Sequence, residues 1–133
     1  MPAGPAGEPD DRRTVRRDGA PPARPLAEVA AAVKRGEATA AELFETFVRS
    51  RLYLPRPPRP GVHVMELGGR RIVPVFSSEL ELAGFAGLVD WFSTDGLDLL
   101  GMLPDGVVLG LDVASPHRLH LNPAAVRLER AGR

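Results

Sequence analysis

The order of apolar and polar positions separates an unpatterned start from a patterned remainder. Leu26, Val29, Ala30 and Val33 recur at i, i+3, i+4 and i+7, the stripe that one face of a helix presents. Lys34 and Arg35 followed by Gly36 mark the end of that helix. Thr39 and Glu42 then stand at capping-box spacing, where each side chain reaches the other residue's backbone N–H. The helix they open carries Leu43, Phe44, Phe47 and Val48 on one face. Two such helices joined by a few residues predict a helical hairpin.

Beyond Ser50 the period changes from helical to alternating. "RLYLP", residues 51 to 55, predicts a short strand, and "PRPPRP", residues 55 to 60, a stiff extended loop. Two β-like runs, residues 62 to 67 and 70 to 76, flank Gly68 and Gly69. They predict a hairpin, because a tight primed turn needs positive φ. The glycines lack the GxxxxGK[ST] frame and no helix follows them, so they do not read as a phosphate loop. Pro74 lies inside the second run and has no N–H, which predicts an edge position or a bulge. Ser77 and Ser78 end the run. Ser78 and Glu81 repeat the capping-box spacing, and Leu80, Leu82, Phe85 and Ala86 supply the buried face of a third helix.

The device returns at residues 89 to 100. A short apolar piece, Trp91 and Phe92, meets Ser93 and Thr94, the expected hydroxyl cap of a helix carrying Leu97, Leu99 and Leu100. Pro104, Asp105 and Gly106 turn the chain. "VVLGLD", residues 107 to 112, is the most strand-like run and is expected to be central. "RLHL", residues 118 to 121, pairs back, and Asn122 caps a last helix with Pro123 at its first position. The order ααβββαβαββα predicts an α+β fold: an N-terminal helical hairpin, then a mixed sheet with helices packed largely on one face.

Composition changes this picture at the ends. Residues 1 to 25 hold six of the 14 prolines and, after Met1, only Val15 as a large aliphatic residue. Such a segment cannot offset the entropy of ordering it, so a disordered tail over 1–25 is expected ahead of one domain over 26–130. Its "RRTVRR", residues 12 to 17, shares the tail with four acidic residues and reads as solvated linker. The start has no apolar h-region, and no apolar run reaches the ~20 residues of a bilayer span, so a cytoplasmic location and no membrane are expected. Seventeen basic residues balance 17 acidic ones, which gives no electrostatic case for nucleic acid. Cysteine is absent from the sequence, which excludes disulfides and thiolate chemistry.

Candidate chemistry is sparse. The histidines are His63, His117 and His120. The last two stand three apart, and beside a strand that odd spacing places them on opposite faces, so no metal site is expected. Ser77 or Ser78 with a histidine could serve a small hydrolase or ligand-binding enzyme, but a nucleophile elbow needs GxSxG, which is missing. Charge is balanced overall yet separated along the chain. Residues 49 to 71 carry six arginines and one acid, Glu66, whereas Ile72 to His117 carry seven carboxylates and no lysine or arginine. Either the two segments face each other, or they form docking faces for a charged partner. Arg56, Arg59, Arg70 and Arg71 are the candidate interaction surface.

"RLYLP", "VPVFSSELELAGF", "LDLLGMLPDGVVLGLD" and "SPHRLHLNPAAV" together resemble the SseB family, specifically its N-terminal domain. The resemblance runs over about residues 43 to 127. Where the family carries Asn-Pro after the central strand, this chain has Asp112 and Val113. The resemblance implies the fold and a bacterial source. Together with the tail and the absence of a catalytic motif, it gives the expectation of a non-catalytic protein-interaction module without cofactor, accessory to a secretion or stress system, whose partner is another protein.

Overall fold

The computed structural model describes residues 24–132. The expected disordered tail therefore lies, except for Arg24 and Pro25, outside the described residues. Helix α1 (Leu26–Lys34) and helix α2 (Ala40–Arg49) form the hairpin. The capping box at α2 is complete: the Thr39 hydroxyl accepts the Glu42 N–H at 3.1 Å, and the Glu42 carboxylate accepts the Thr39 N–H at 2.7 Å. There follow β1 (Arg51–Pro55), β2 (Met65–Leu67), β3 (Arg70–Val75), α3 (Glu79–Ala86), β4 (Trp91–Asp95), α4 (Gly96–Leu100), β5 (Val107–Leu111), β6 (Leu119–Leu121) and α5 (Pro123–Ala131). This is the α+β order that the alternation predicts.

Strands β2, β3, β5 and β6 form one sheet in that order, with β3 and β5 parallel and the outer pairs antiparallel. β5 is thus an inner strand, as its apolar run implies. Strands β1 and β4 pair antiparallel beside it. Tyr53 and Phe76 exchange both backbone bonds at 2.9 Å and so join the two sheets. Gly68 and Gly69 turn the β2–β3 hairpin at φ 59° and 80°, the positive values the tight turn requires.

Pro74 lies in an inner strand and not at a bulge, yet its own position is unpaired on one side. It pairs with Gly110 of β5 within the parallel ladder. Phe76, two residues on, turns its N–H and C=O toward β1, while Val75 accepts the Asp112 N–H on the β5 side. By alternation the Pro74 nitrogen points to the β1/β2 side. There β2 has already ended, at Met65 opposite Ile72, and β1 joins only at Phe76. The missing N–H falls in that gap and no ladder bond is lost.

The inner faces of the two sheets contribute Leu52, Leu54, Val73, Val75, Val107, Leu109, Leu111 and Leu121 to one core with Leu26, Val29, Leu43, Phe47, Leu99 and Val126 from the helices. Gly96 marks the tightest approach within it: a Cβ there would stand 2.0 Å from the Phe47 carbonyl oxygen, and the Gly96 N–H donates to Ser50 O.

Helix α3 is the exception to one-sided packing. It lies on the outer face, where its Phe85 ring meets Phe76 at 5.4 Å. Only Leu82 of α3 is buried; Leu80 and Phe85, expected inside, are exposed. No second layer covers this helix among the described residues, so Leu82 and the Phe85–Phe76 contact seat it. The cap at α4 also differs from expectation. Ser93 and Thr94 belong to β4, and Asp95 caps the helix by accepting the Asp98 N–H at 2.7 Å. The strand runs three residues past Phe92, to Asp95.

Candidate functional site

The corner between β3 and α3 gathers most of the polar side chains capable of chemistry. Ser78 is the N-cap of α3: its hydroxyl accepts the Glu81 N–H at 3.1 Å, satisfying one of the free donors of the first turn. Ser77 does something different. Its hydroxyl donates to Asp112 Oδ2 at 2.6 Å and its N–H donates to Asp112 Oδ1 at 2.8 Å.

Asp112 is fully buried directly after β5, at φ 49°. Aspartate tolerates that left-handed conformation better than most residues. The parallel register, Val75 opposite Leu111, brings the ends of β3 and β5 to the same edge of the sheet and therefore Ser77 to Asp112. His117 completes the arrangement, with Nε2 2.6 Å from Asp112 Oδ2. A carboxylate only accepts, so Nε2 carries a proton and Nδ1 faces the Ser115 hydroxyl at 2.6 Å. The Ser115 oxygen also accepts the His117 N–H at 3.1 Å, and the Ser115 N–H donates to Asp112 O at 2.8 Å. One buried carboxylate thus fastens the end of β3, the end of β5 and the loop leading to β6.

Read chemically, Asp112, His117 and Ser115 stand in the order of an acid–histidine–serine relay. The Ser115 hydroxyl, however, is buried and already accepts its neighbour's N–H. Ser77 meets the carboxylate and Ser78 the helix end, so the two serines singled out by the sequence contact no imidazole in the bonds they make.

A metal reading involves His117 but not His120. Carboxylate oxygens of Glu81 and Asp112 and a nitrogen of His117 lie within 4.8 Å of one another. Ligand atoms placed tetrahedrally about a divalent ion at ~2.0–2.2 Å stand roughly 3.3–3.6 Å apart. The 2.6 Å between His117 and Asp112 is a hydrogen bond that an ion would have to open. His120 lies on β6 opposite Gly110, and His63 is exposed in the loop before β2.

The four candidate arginines are all exposed and spread over several elements. Arg56 lies over the Phe92 ring at 5.4 Å, Arg59 sits in the proline-rich loop, and Arg70 and Arg71 open β3. Arg71 donates to the Asp105 carbonyl at 3.3 Å, and Arg51 donates to the Ser93 hydroxyl at 3.1 Å. These arginines do reach the acid-rich part of the chain, but through a ring, a carbonyl and a hydroxyl. On the helical side, a cleft lined by Glu45, Val48, Arg49, Leu97 and Arg130 carries the Arg49–Glu45 ion pair at 3.1 Å.

Sequence reasoning missed Asp112 and Ser115. The available signal was an acid placed directly after the most strand-like run, at the position where the chain departs from the pattern it resembles.

No helix among the described residues is long and apolar enough to cross a membrane. Searches of curated proteins and of solved structures returned no match. The model of the SseB protein N-terminal domain matches residues 26–128, which include α1 and α2 as well as the motifs quoted above. The corner at Ser77 and the Asp112 loop therefore lie inside a matched region that covers most of the chain, and the chain belongs to the SseB N-terminal domain family.

Proposed function

We propose that this domain is a non-catalytic protein-interaction module, an accessory to a secretion or stress system. The observation that carries the reading is the use to which its polar groups are put. Ser78 and Asp95 cap helices, a buried carboxylate holds Ser77 and His117, and the Ser115 hydroxyl is bonded to the His117 ring, so the groups suited to nucleophilic work fasten the fold. Exposed side chains carry the opposite message. Arginines 56, 59, 70 and 71 offer a cationic side, and α3 with the start of β4 offers an apolar side. Electrostatic docking weakens as salt screens it.

A second reading, a small serine hydrolase, draws on the Asp112–His117–Ser115 order. The experiment that separates them starts with affinity capture from the native host. The proposal expects a protein partner whose affinity is unchanged in a folded Ser115→Ala variant and falls with salt. Release of product from an ester library, lost in Ser115→Ala while the fold is retained, would favour the hydrolase.

A further inference from the structure

The outer face of the sheet leaves an edge and an apolar surface side by side. Among the described residues β4 pairs with β1 alone. The Arg56 N–H donates to Asp90 O and the Gly96 N–H to Ser50 O, which fixes the alternation along β4: Phe92 and Thr94 turn their backbone groups to β1. Trp91 and Ser93 turn theirs outward. An edge of this kind is a template for another strand.

Beside this edge, apolar side chains stand in solvent. Leu80, Phe85, Leu88, Val89 and Trp91 are five of the eight large apolar side chains exposed among the described residues, with Leu80 at 82% and Leu88 at 104% of full exposure. Phe85, Leu88, Val89 and Trp91 fall within seven consecutive positions that lead from the last turn of α3 into β4, whereas Leu80 stands on the far side of the helix from Leu82. Trp91 meets Tyr53 edge-on at 5.6 Å, so its ring is held beside the strand edge.

Charge narrows the occupant. Glu79 and Asp90 are exposed next to these apolar residues, and no lysine or arginine occurs from Ile72 to His117. The two cations that reach β4 from β1, Arg51 and Arg56, are engaged with the Ser93 hydroxyl and the Phe92 ring. The surface is apolar with an acidic rim.

We infer that the β4 edge takes an extended segment of a partner protein as an added strand, one that alternates apolar residues with lysine or arginine. The inference rests on the interaction-module reading and names the partner's chemistry. Backbone bonds at Trp91 and Ser93 set the register, the apolar residues cover Trp91, Leu88 and Phe85, and the cations meet Asp90 and Glu79.

The test is selection of a random displayed peptide library on the whole chain, followed by anisotropy of the enriched peptides with variants. Trp91→Glu, Leu88→Glu and Ser93→Pro act on this surface; Arg70→Ala with Arg71→Ala acts on the opposite charge. Leu88 is fully exposed, so its variant should retain the wild-type melting temperature, and Trp91→Glu, which loses only the Tyr53 contact, should stay folded even if the proline variant does not. The expected result is enrichment of alternating sequences rich in lysine or arginine. Binding should weaken by about tenfold or more in Trp91→Glu and in Leu88→Glu, and change little in the double arginine variant. Peptides that are acidic, or that respond to the arginines and not to Trp91 and Leu88, would overturn this inference and leave the interaction module standing. A concentration-dependent dimer abolished by Trp91→Glu would name a second copy as occupant and overturn it too. No enrichment on any surface would overturn both.

Discussion

Replacing Asp112 probes the corner more sharply than any other change. Its carboxylate accepts from the Ser77 N–H, the Ser77 hydroxyl and His117 Nε2 within 2.6–2.8 Å, with no exposure of its own. Alanine would leave those donors short of partners. A buried polar group so orphaned costs about 1–3 kcal/mol. Alanine at φ 49° adds roughly 1 kcal/mol of backbone strain. Because the groups share one site, the losses overlap, and the expected total is about 3–5 kcal/mol, the usual cost of breaking a buried pair. Asparagine should cost only about 1 kcal/mol. It tolerates the left-handed backbone, its oxygen keeps the Ser77 N–H, and its amide donates to the Ser77 hydroxyl and to the imidazole once the proton sits on Nδ1. Urea unfolding followed by far-UV circular dichroism reads both. With a slope of ~1–3 kcal/mol per molar, the alanine variant should lose roughly 2 M in midpoint. An alanine variant with the wild-type midpoint, or an asparagine variant as damaged as alanine, would refute the account of this corner.

Other perturbations follow from single observations. Ser78→Ala should lower stability by about 1 kcal/mol in the same assay, the cost of an N-cap. At α4, Asp95→Ala should cost about the same, while Thr94→Ala, outside the cap, should cost at least twofold less, at about 0.5 kcal/mol or below. Gly96→Ala should destabilise by about 3 kcal/mol or prevent folding, since its Cβ would meet the Phe47 backbone, read as a lost or lowered melting transition. Gly110→Ala meets only the side chains of Val113 and Ile72 at 2.8 and 2.9 Å and should cost less, about 1–3 kcal/mol.

What was legible in the sequence is what local chemistry determines. The helix starts at Thr39, Ser78 and Asn122 are set by bonds spanning two or three residues, and the glycine pair sets the hairpin. The element order could therefore be read without knowing the tertiary structure. Pro74 could not be placed, because the gap it occupies depends on where β2 ends and β1 joins. The link from Ser77 to Asp112 spans 35 residues and exists only because β3 and β5 pair in parallel. Leu80 and Phe85 follow a helical pattern that suggests burial, yet Leu82 is the only buried side chain of α3 and Phe85 covers Phe76 while staying exposed itself. Periodicity tells which side chains share a face, and leaves open whether anything covers it.

Docking without turnover is the central claim, and intact-mass measurement of the domain incubated with its captured partner tests it most directly. The account predicts a complex in which both chains keep their masses over many binding lifetimes, with wild-type and Ser115→Ala domains behaving alike. A mass change in either chain, or a covalent adduct on Ser115 or Ser77, that disappears in a folded Ser115→Ala or Ser77→Ala variant would contradict it.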